Sequence, residues 1–164
     1  MKIGIISDTH DRLPFVDKAV EKMNEEKVDL VLHAGDYSAP FVASRFEPLK
    51  ARMIGVFGNN DAEKELLRRN FSNIGIEIRG RFAEVKADGL KIALLHGDEE
   101  ELLSSLLNTQ YYDVIVHGHT HKPEIQRKNG VLAINPGEVC GYLSGKATVG
   151  LLDTSSMDVI ILTI

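Results

Sequence analysis

The sequence predicts one α/β domain, residues 1–164, that opens with strand-helix-strand units and closes with hairpins. Three observations carry this reading. Short Ile/Val-rich runs recur along the chain, helical apolar spacing lies between the early runs, and turn dipeptides join the later ones. Lys2 to Ile6, Asp29 to Leu32, Met53 to Phe57, Ile92 to Leu95 and Val114 to Val116 are short and almost unbroken. That is the pattern of strands buried on both faces.

Taken in order, the first strand, Lys2 to Ile6, leads to Pro14, which suits a first helical turn. Val16, Ala19, Val20 and Met23 then recur on one helical face and supply the first crossover. Asp29 to Leu32 and Met53 to Phe57 follow as strands, and Ala62 to Arg69 reads as a second helix. Phe82 to Ala87 and Lys91 to Leu95 flank Asp88-Gly89, a strong hairpin signal. Glu99 to Leu107 begins with three acidic residues that suit the positive end of a helix dipole. After Val114 to Val116, Asn129-Gly130 joins Glu124 to Lys128 with Val131 to Asn135. A last hairpin pairs Ala147 to Leu152 with Met157 to Thr163 across the polar turn Asp153 to Ser156. There is no internal repeat, low-complexity tract or Pro/Gly/Ser linker.

Composition narrows the function classes. A chain of 164 residues is long enough to bury roughly 70% of the surface its unfolded form exposes. With 43% hydrophobic and 26% charged residues it reads as an ordinary globular protein. A net charge of -5 argues against nucleic-acid or anionic-membrane partners through the global field. The single Cys140 cannot form an internal disulfide and reads as a small buried hydrophobe, which suits a reducing, cytoplasmic setting. The opening apolar run is too short for a signal peptide, and no window reaches the ~18 apolar residues of a membrane span.

Each of the five buried runs is followed within about three residues by a group that can ligate a metal. Asp8 and His10 follow the first, Asp36 the second, Asn59 the third, His96 the fourth, and His119 with His121 the fifth. In an open α/β sheet the loops beyond the carboxyl ends of the strands form the binding rim, so seven groups would converge there. Each motif alone has a plainer reading. The Asp after a strand in SDTHD is commonly an Asx turn or cap, Gly35-Asp36 a tight turn, and GNND a loop by composition. Their conjunction at successive strand ends is what points to a metal site. His119 and His121, two apart, would point the same way on extended backbone and reach one locus. A carboxylate can bridge two cations, and imidazole, carboxylate and amide-oxygen ligands suit Mn, Fe, Ni or Zn. The expected product is a two-metal hydrolase.

The ordered set Asp8-x-His10, Gly35-Asp36, Gly58 to Asp61, His96-Gly97 and Gly118 to His121, with INPGEVCGYLSG at Ile134 to Gly145, resembles the calcineurin-like metallophosphoesterase superfamily. The short chain is similar to its small single-domain prokaryotic phosphodiesterase branch. The resemblance implies a four-layer α-β-β-α sandwich with two mixed sheets. It also implies two divalent ions per chain, Mn first, with Ni, Fe, Zn or Mg as the other candidates. Asp8, His10, Asp36 and His121 would hold one ion, and Asp36, Asn59, His96 and His119 the other, with Asp36 bridging. A hydroxide between the ions would attack phosphorus in line. Asp61 would fix the loop carrying Asn59. The implied substrate is a small phosphodiester, and homo-oligomerisation is left open.

One position departs from the pattern. Many members carry His after the Gly-Asn pair, a residue assigned to the leaving-group proton or a phosphate contact; here Asn60 stands. An amide has no useful pKa near neutrality, so general-acid help worth roughly 10²–10⁴ must come from elsewhere or be missing. His33 and His117 sit inside buried runs just before ligand-bearing turns and read as supporting or core residues. Two alternatives stand beside the enzyme reading. One is a protein-interaction scaffold, as in the retromer-coat relative with its degraded metal site, and the other is a nuclease like the larger members with capping domains. The intact seven-residue set and the short acidic chain argue against both.

Overall fold

In the computed structural model, which describes residues 1–164, the first half alternates strand and helix. Strand β1 (Lys2–Ile6) is followed by α1 (Leu13–Glu25), β2 (Leu30–His33), a 3-10 segment (Pro40–Phe46), β3 (Arg52–Gly55), α2 (Lys64–Asn73) and the short β4 (Glu77–Ile78). The second half runs β5 (Phe82–Ala87), β6 (Leu90–Leu95), α3 (Glu100–Thr109), β7 (Val114–Val116), β8 (Pro123–Lys128), β9 (Val131–Pro136), β10 (Thr148–Asp153) and β11 (Asp158–Thr163). Two mixed sheets result, ordered β11-β10-β1-β2-β3-β4 and β5-β6-β7-β9-β8. In the first, β1 to β4 are parallel while β10 runs antiparallel to β1 and β11 to β10. In the second, β6, β7 and β9 are parallel between two antiparallel edges.

Alternation along the strands divides the apolar side chains into three layers. Ile3, Ile5, Leu30, Leu32 and Ile54 of the first sheet meet Val85, Ile92, Leu94, Val114 and Ile134 of the second. The opposite face of the first sheet is covered by Val16, Ala19 and Met23 of α1, Val42 and Phe46 of the 3-10 segment, and Leu67 and Phe71 of α2. On the outer face of the second sheet, Leu103, Leu106 and Leu107 of α3 pack against Ala93, Leu95 and Ile115. This is the four-layer α-β-β-α sandwich. Gly4 explains how closely α1 sits on β1, because a Cβ there would fall on the Met23 sulfur.

Two hairpins close as their dipeptides predict. Asp88 and Gly89 have φ of 51° and 81°, Asn129 and Gly130 of 53° and 85°, the two left-handed centres that a type I′ turn requires. The last hairpin differs by one residue in both strands: β10 runs from Thr148 to Asp153, and Met157, with φ 60°, belongs to the turn, so β11 starts at Asp158. The second and third helices begin later than their patterns suggest, at Lys64 and Glu100, and β3 ends at Gly55, two residues before Phe57. Strand β4 has only two residues, too few to show a period in the sequence. No helix is long and apolar enough to cross a membrane.

Leu32 is fully buried between the sheets. Leu32→Ala should destabilise the metal-free protein by about 2–5 kcal/mol, read from the midpoint shift in urea unfolding at unchanged slope.

Candidate metal centre

All seven ligand candidates lie in loops that leave the carboxyl ends of β1, β2, β3, β6 and β7. They form two groups that meet at Asp36. In one, Asp8 Oδ1 is 3.2 Å from His121 Nε2 and 3.7 Å from His10 Nε2, and the His10 and His121 rings stack with centroids 5.2 Å apart. In the other, the His96 and His119 rings meet edge-on at 5.1 Å, and His119 Nδ1 is 3.1 Å from Asn59 Oδ1. Asp36 Oδ2 lies 3.4 Å from His10 Nε2 and 3.3 Å from His96 Nε2, between the groups. The structure thus brings the predicted residues together, with one correction. His119 and His121 are not extended: their φ values are 68° and 60°, and they diverge into different groups instead of sharing one locus.

Left-handed backbone is a property of the site as a whole. Asp8, His10, Asp36, His119 and His121, five of the seven, have φ between 39° and 68°. For a residue with a Cβ this conformation is disfavoured and persists only when the surroundings impose it. Here they do. Asp8 N donates to Gly35 O at 3.0 Å and His10 N to Asp36 O at 3.1 Å, so the β1 loop is tied to the β2 loop. Gly118 N donates to His96 O at 2.8 Å, and Cys140 N to Asp8 O at 3.0 Å. The loops touch so closely that a Cβ at Gly58 or Gly118 would fall on the carboxylate of Asp36 or the hydroxyl of Ser7.

The donor set fits divalent cations. Asp8 Oδ1, His10 Nε2 and His96 Nε2 are buried with no hydrogen-bond partner, although buried polar atoms are almost always paired. The other ring nitrogens are engaged in a way that leaves Nε2 with its lone pair. His96 Nδ1–H donates to Ala34 O at 2.8 Å, His121 Nδ1–H to Glu138 Oε2 at 2.7 Å, and His119 Nδ1–H to Asn59 Oδ1. Asp8, His10 and Asp36 place ligand atoms within 4.8 Å of one another, as do His10, His121 and Cys140. Cys140 is a poor member of that second trio. Burial, followed by its bond to Glu138, pushes the thiol up to about 12, and Sγ donates to Glu138 at 2.9 Å. Burial acts against charge on Asp36, but the adjacent His96 imidazole and the two hydrogen bonds from Asn60 hold its carboxyl well below the usual range. Burial likewise opposes charge on His96, yet Asp36 raises it above the ordinary value.

The supporting residues have defined tasks. Asp61 accepts N–H bonds from Asp36 at 3.1 Å, Tyr37 at 2.7 Å, Ser38 at 2.8 Å and Gly58 at 2.7 Å, so it secures the Asp36 loop as well as the one carrying Asn59. Asn60 donates to Asp36 from its main chain at 2.9 Å and its amide at 2.7 Å, which makes it a holder of the central carboxylate. His33 accepts from Gly35 N at Nδ1, so Nε2 carries the proton toward Thr9 Oγ1, and burial keeps the ring neutral. His117 is buried with its pKa lowered by that burial. Sequence reasoning missed Glu138. Its carboxylate is fully buried and accepts from His121, Cys140, Tyr142, Leu143 and Ser144. Against the cost of burial, the bonds from Cys140 and His121 bring its pKa down to about 2. The signal was available: Glu138 follows the carboxyl end of β9, which runs parallel to β7, by the same rule that found the other seven.

Comparison with known proteins gives concordant results. Residues 1–157 match the model of the calcineurin-like phosphoesterase superfamily domain. The chain is 44% identical over 159 residues to a phosphodiesterase of Methanocaldococcus jannaschii, with 96% of each covered. It is 28% identical to the phosphodiesterase YfcE of Escherichia coli, covering 99% of this chain and 92% of that one. A solved archaeal phosphodiesterase superposes with a TM-score of 0.96 at 42% identity over all of both chains. A single mutant of Vps29 from Entamoeba histolytica superposes at 0.71 with 20% identity, covering 100% of this chain and 99% of that one, a likeness of fold alone.

Glu138 gives the site a direct test. Glu138→Gln keeps the shape but replaces one accepting oxygen with a donor, and should weaken Mn binding by about 10–100-fold in calorimetric titration with the fold intact by circular dichroism.

Proposed function

We propose that this chain, which belongs to the calcineurin-like phosphoesterase superfamily, is a phosphodiesterase with a dinuclear centre in a single domain spanning 1–164. Asp8, His10, Asp36 and His121 hold one divalent ion and Asp36, Asn59, His96 and His119 the other, with Mn first and Ni, Fe, Zn or Mg as alternatives. The observation that carries this reading is Asp36 Oδ2, within 3.4 Å of an imidazole Nε2 from each group. When bound, such a pair supplies charge neutralisation for the phosphoryl oxygens and makes a water nucleophile available at neutral pH.

The chain's own residues supply position and a limit. Asp61 and Asn60 hold Asp36 from main chain and side chain, and Glu138 and Ala34 O orient His121 and His96. His119 lies half-exposed at the rim beside Asn59, where a substrate could reach it. Asn60 cannot serve as an acid near neutrality, and one N–H of its amide is held by Asp36. Substrates whose departing oxygen is stable as an anion are therefore favoured. A diester, with one negative charge against nearly two on a monoester, repels the nucleophile less. The substrate is a small phosphodiester, with nucleic acid disfavoured by the net charge of -5, and the buried free thiol of Cys140 suits the cytoplasm. A pure interaction scaffold would have no use for the seven converging ligand groups.

Elemental analysis after Mn loading should give two ions per chain in the wild type and at most one in Asp36→Asn. That variant should lose diesterase activity more completely than Asp61→Ala, for which about 10–100-fold is expected. Two ions retained in Asp36→Asn would remove the bridging role.

Across aryl diesters, kcat/KM should fall as leaving-group pKa rises and should exceed kcat/KM for alkyl monoesters. Asn60→His should help the poorest leaving groups most. A wild type that prefers alkyl monoesters, with no leaving-group dependence, would contradict the proposal.

A further inference from the structure

Two large apolar side chains stand in water beside the His10/His121 half of the centre. Tyr142 is 59% exposed and Leu143 75%, the two highest values among the large apolar residues. Their backbone is fixed. Tyr142 N and Leu143 N donate to the Glu138 carboxylate at 2.9 and 3.0 Å, and the same carboxylate takes the His121 Nδ1 proton at 2.7 Å. One buried group thus sets the exposed pair and a candidate ligand in register. Arg12, two residues after His10, anchors the loop from the other side by donating to Cys140 O. Its guanidinium carbon lies 5.1 Å from the Tyr142 ring centroid and 4.0 Å from that of Phe15. No carboxylate lies within ion-pair distance of Arg12, whose guanidinium meets only Cys140 O and the two rings.

An exposed aromatic ring on a tethered backbone, an aliphatic neighbour and a guanidinium with no carboxylate partner, at the edge of a phosphate-ester site, have a chemical complement: a flat aromatic group attached to an anionic phosphorus. The ring face offers stacking that does not depend on the identity of the guest, and the cation draws on the charge beside it. We propose that Tyr142 and Leu143, steadied by Glu138 and flanked by Arg12, form the subsite for a planar aromatic group on the phosphodiester substrate. The inference rests on the phosphodiesterase reading of the adjacent centre. Aryl esters and nucleoside esters share this chemistry.

The test uses the Mn-loaded full chain and three monoanions with poor alkoxide leaving groups, methyl phenylphosphonate, methyl ethylphosphonate and thymidine 5′-methylphosphonate, with binding measured by calorimetry before any turnover. The wild type should bind the phenyl compound about 5–20-fold more tightly than the ethyl compound. Tyr142→Ala should bring the ratio within twofold, and Tyr142→Phe should keep it. A thymidine compound that binds above the phenyl one and falls with Tyr142→Ala assigns the subsite to a nucleobase; one that binds like the ethyl compound assigns it to a simple aryl group. A wild-type ratio below twofold, or one that survives Tyr142→Ala, overturns the proposal. So does a wild-type dimer in sedimentation velocity that Tyr142→Ala dissolves, since the pair would then cover a second copy. Turnover of an aryl diester is scored separately: its absence overturns the phosphodiesterase reading, while the binding ratio still decides the subsite.

Discussion

The carboxylate of Asp61 is the constraint on which the centre depends. Buried and without a cationic partner, it is satisfied entirely by four main-chain N–H groups, three from the turn after β2 and one from the turn after β3. Burial alone would favour its neutral form, and it does push the carboxyl up; the N–H groups draw against that. This clamp sets the left-handed turn at Asp36, which puts Oδ2 between His10 and His96. It also brings Gly58 and Asn60 against the same carboxylate. Seven groups from five loops share a centre because the loops are first fixed to one another.

That arrangement explains why so much of it was legible in the sequence. Buried parallel strands announce themselves as unbroken Ile/Val runs, and a polar group just beyond such a run has few places to go other than the rim. Asp8, Asp36, Asn59, His96 and His119 each obey this rule, and the hairpins at Asp88-Gly89 and Asn129-Gly130 obey an equally local one. What was not legible is imposed from a distance. Left-handed backbone at His119 and His121 is set by neighbouring loops and not by those residues' own preference, so a period-two argument sent both rings the same way. Asn60 reads as a lost acid by residue type; its hold on Asp36 requires knowing where Asp36 turns. Glu138 obeyed the strand-end rule, but it sits among local donors and has no partner motif to draw attention to it.

The glycines at the rim belong to the same account. At Gly58 and Gly118 the need is for space and not for unusual φ, because the carboxylate of Asp36 and the hydroxyl of Ser7 occupy the volume a side chain would fill. Gly35 and Gly97 take positive φ freely, but five of the ligand positions do so with a Cβ, at a cost of order 1–3 kcal/mol each. Interactions elsewhere must offset that cost, and three continuous apolar layers supply them. The rim is thus rigid because the sandwich beneath it is stable enough to hold five disfavoured turns in place.

The pairing of β1 with β10 has a consequence for synthesis. Lys2 to Ile5 lie beside Gly150 to Asp153, and Ser7 and Asp8 receive main-chain bonds from Val139 and Cys140. As the chain leaves the ribosome from its amino end, the first strand finds β2 early on one flank. Its other flank stays open until some 150 residues have been made. The loop carrying Asp8 and His10 is therefore not locked until Val139 and Cys140 emerge, and the early segment passes through a period with an unpaired edge, a state that invites aggregation. Drawing the site from residues as far apart as Asp8 and Glu138 also means that a truncated product, however well its first strands fold, lacks the finished rim.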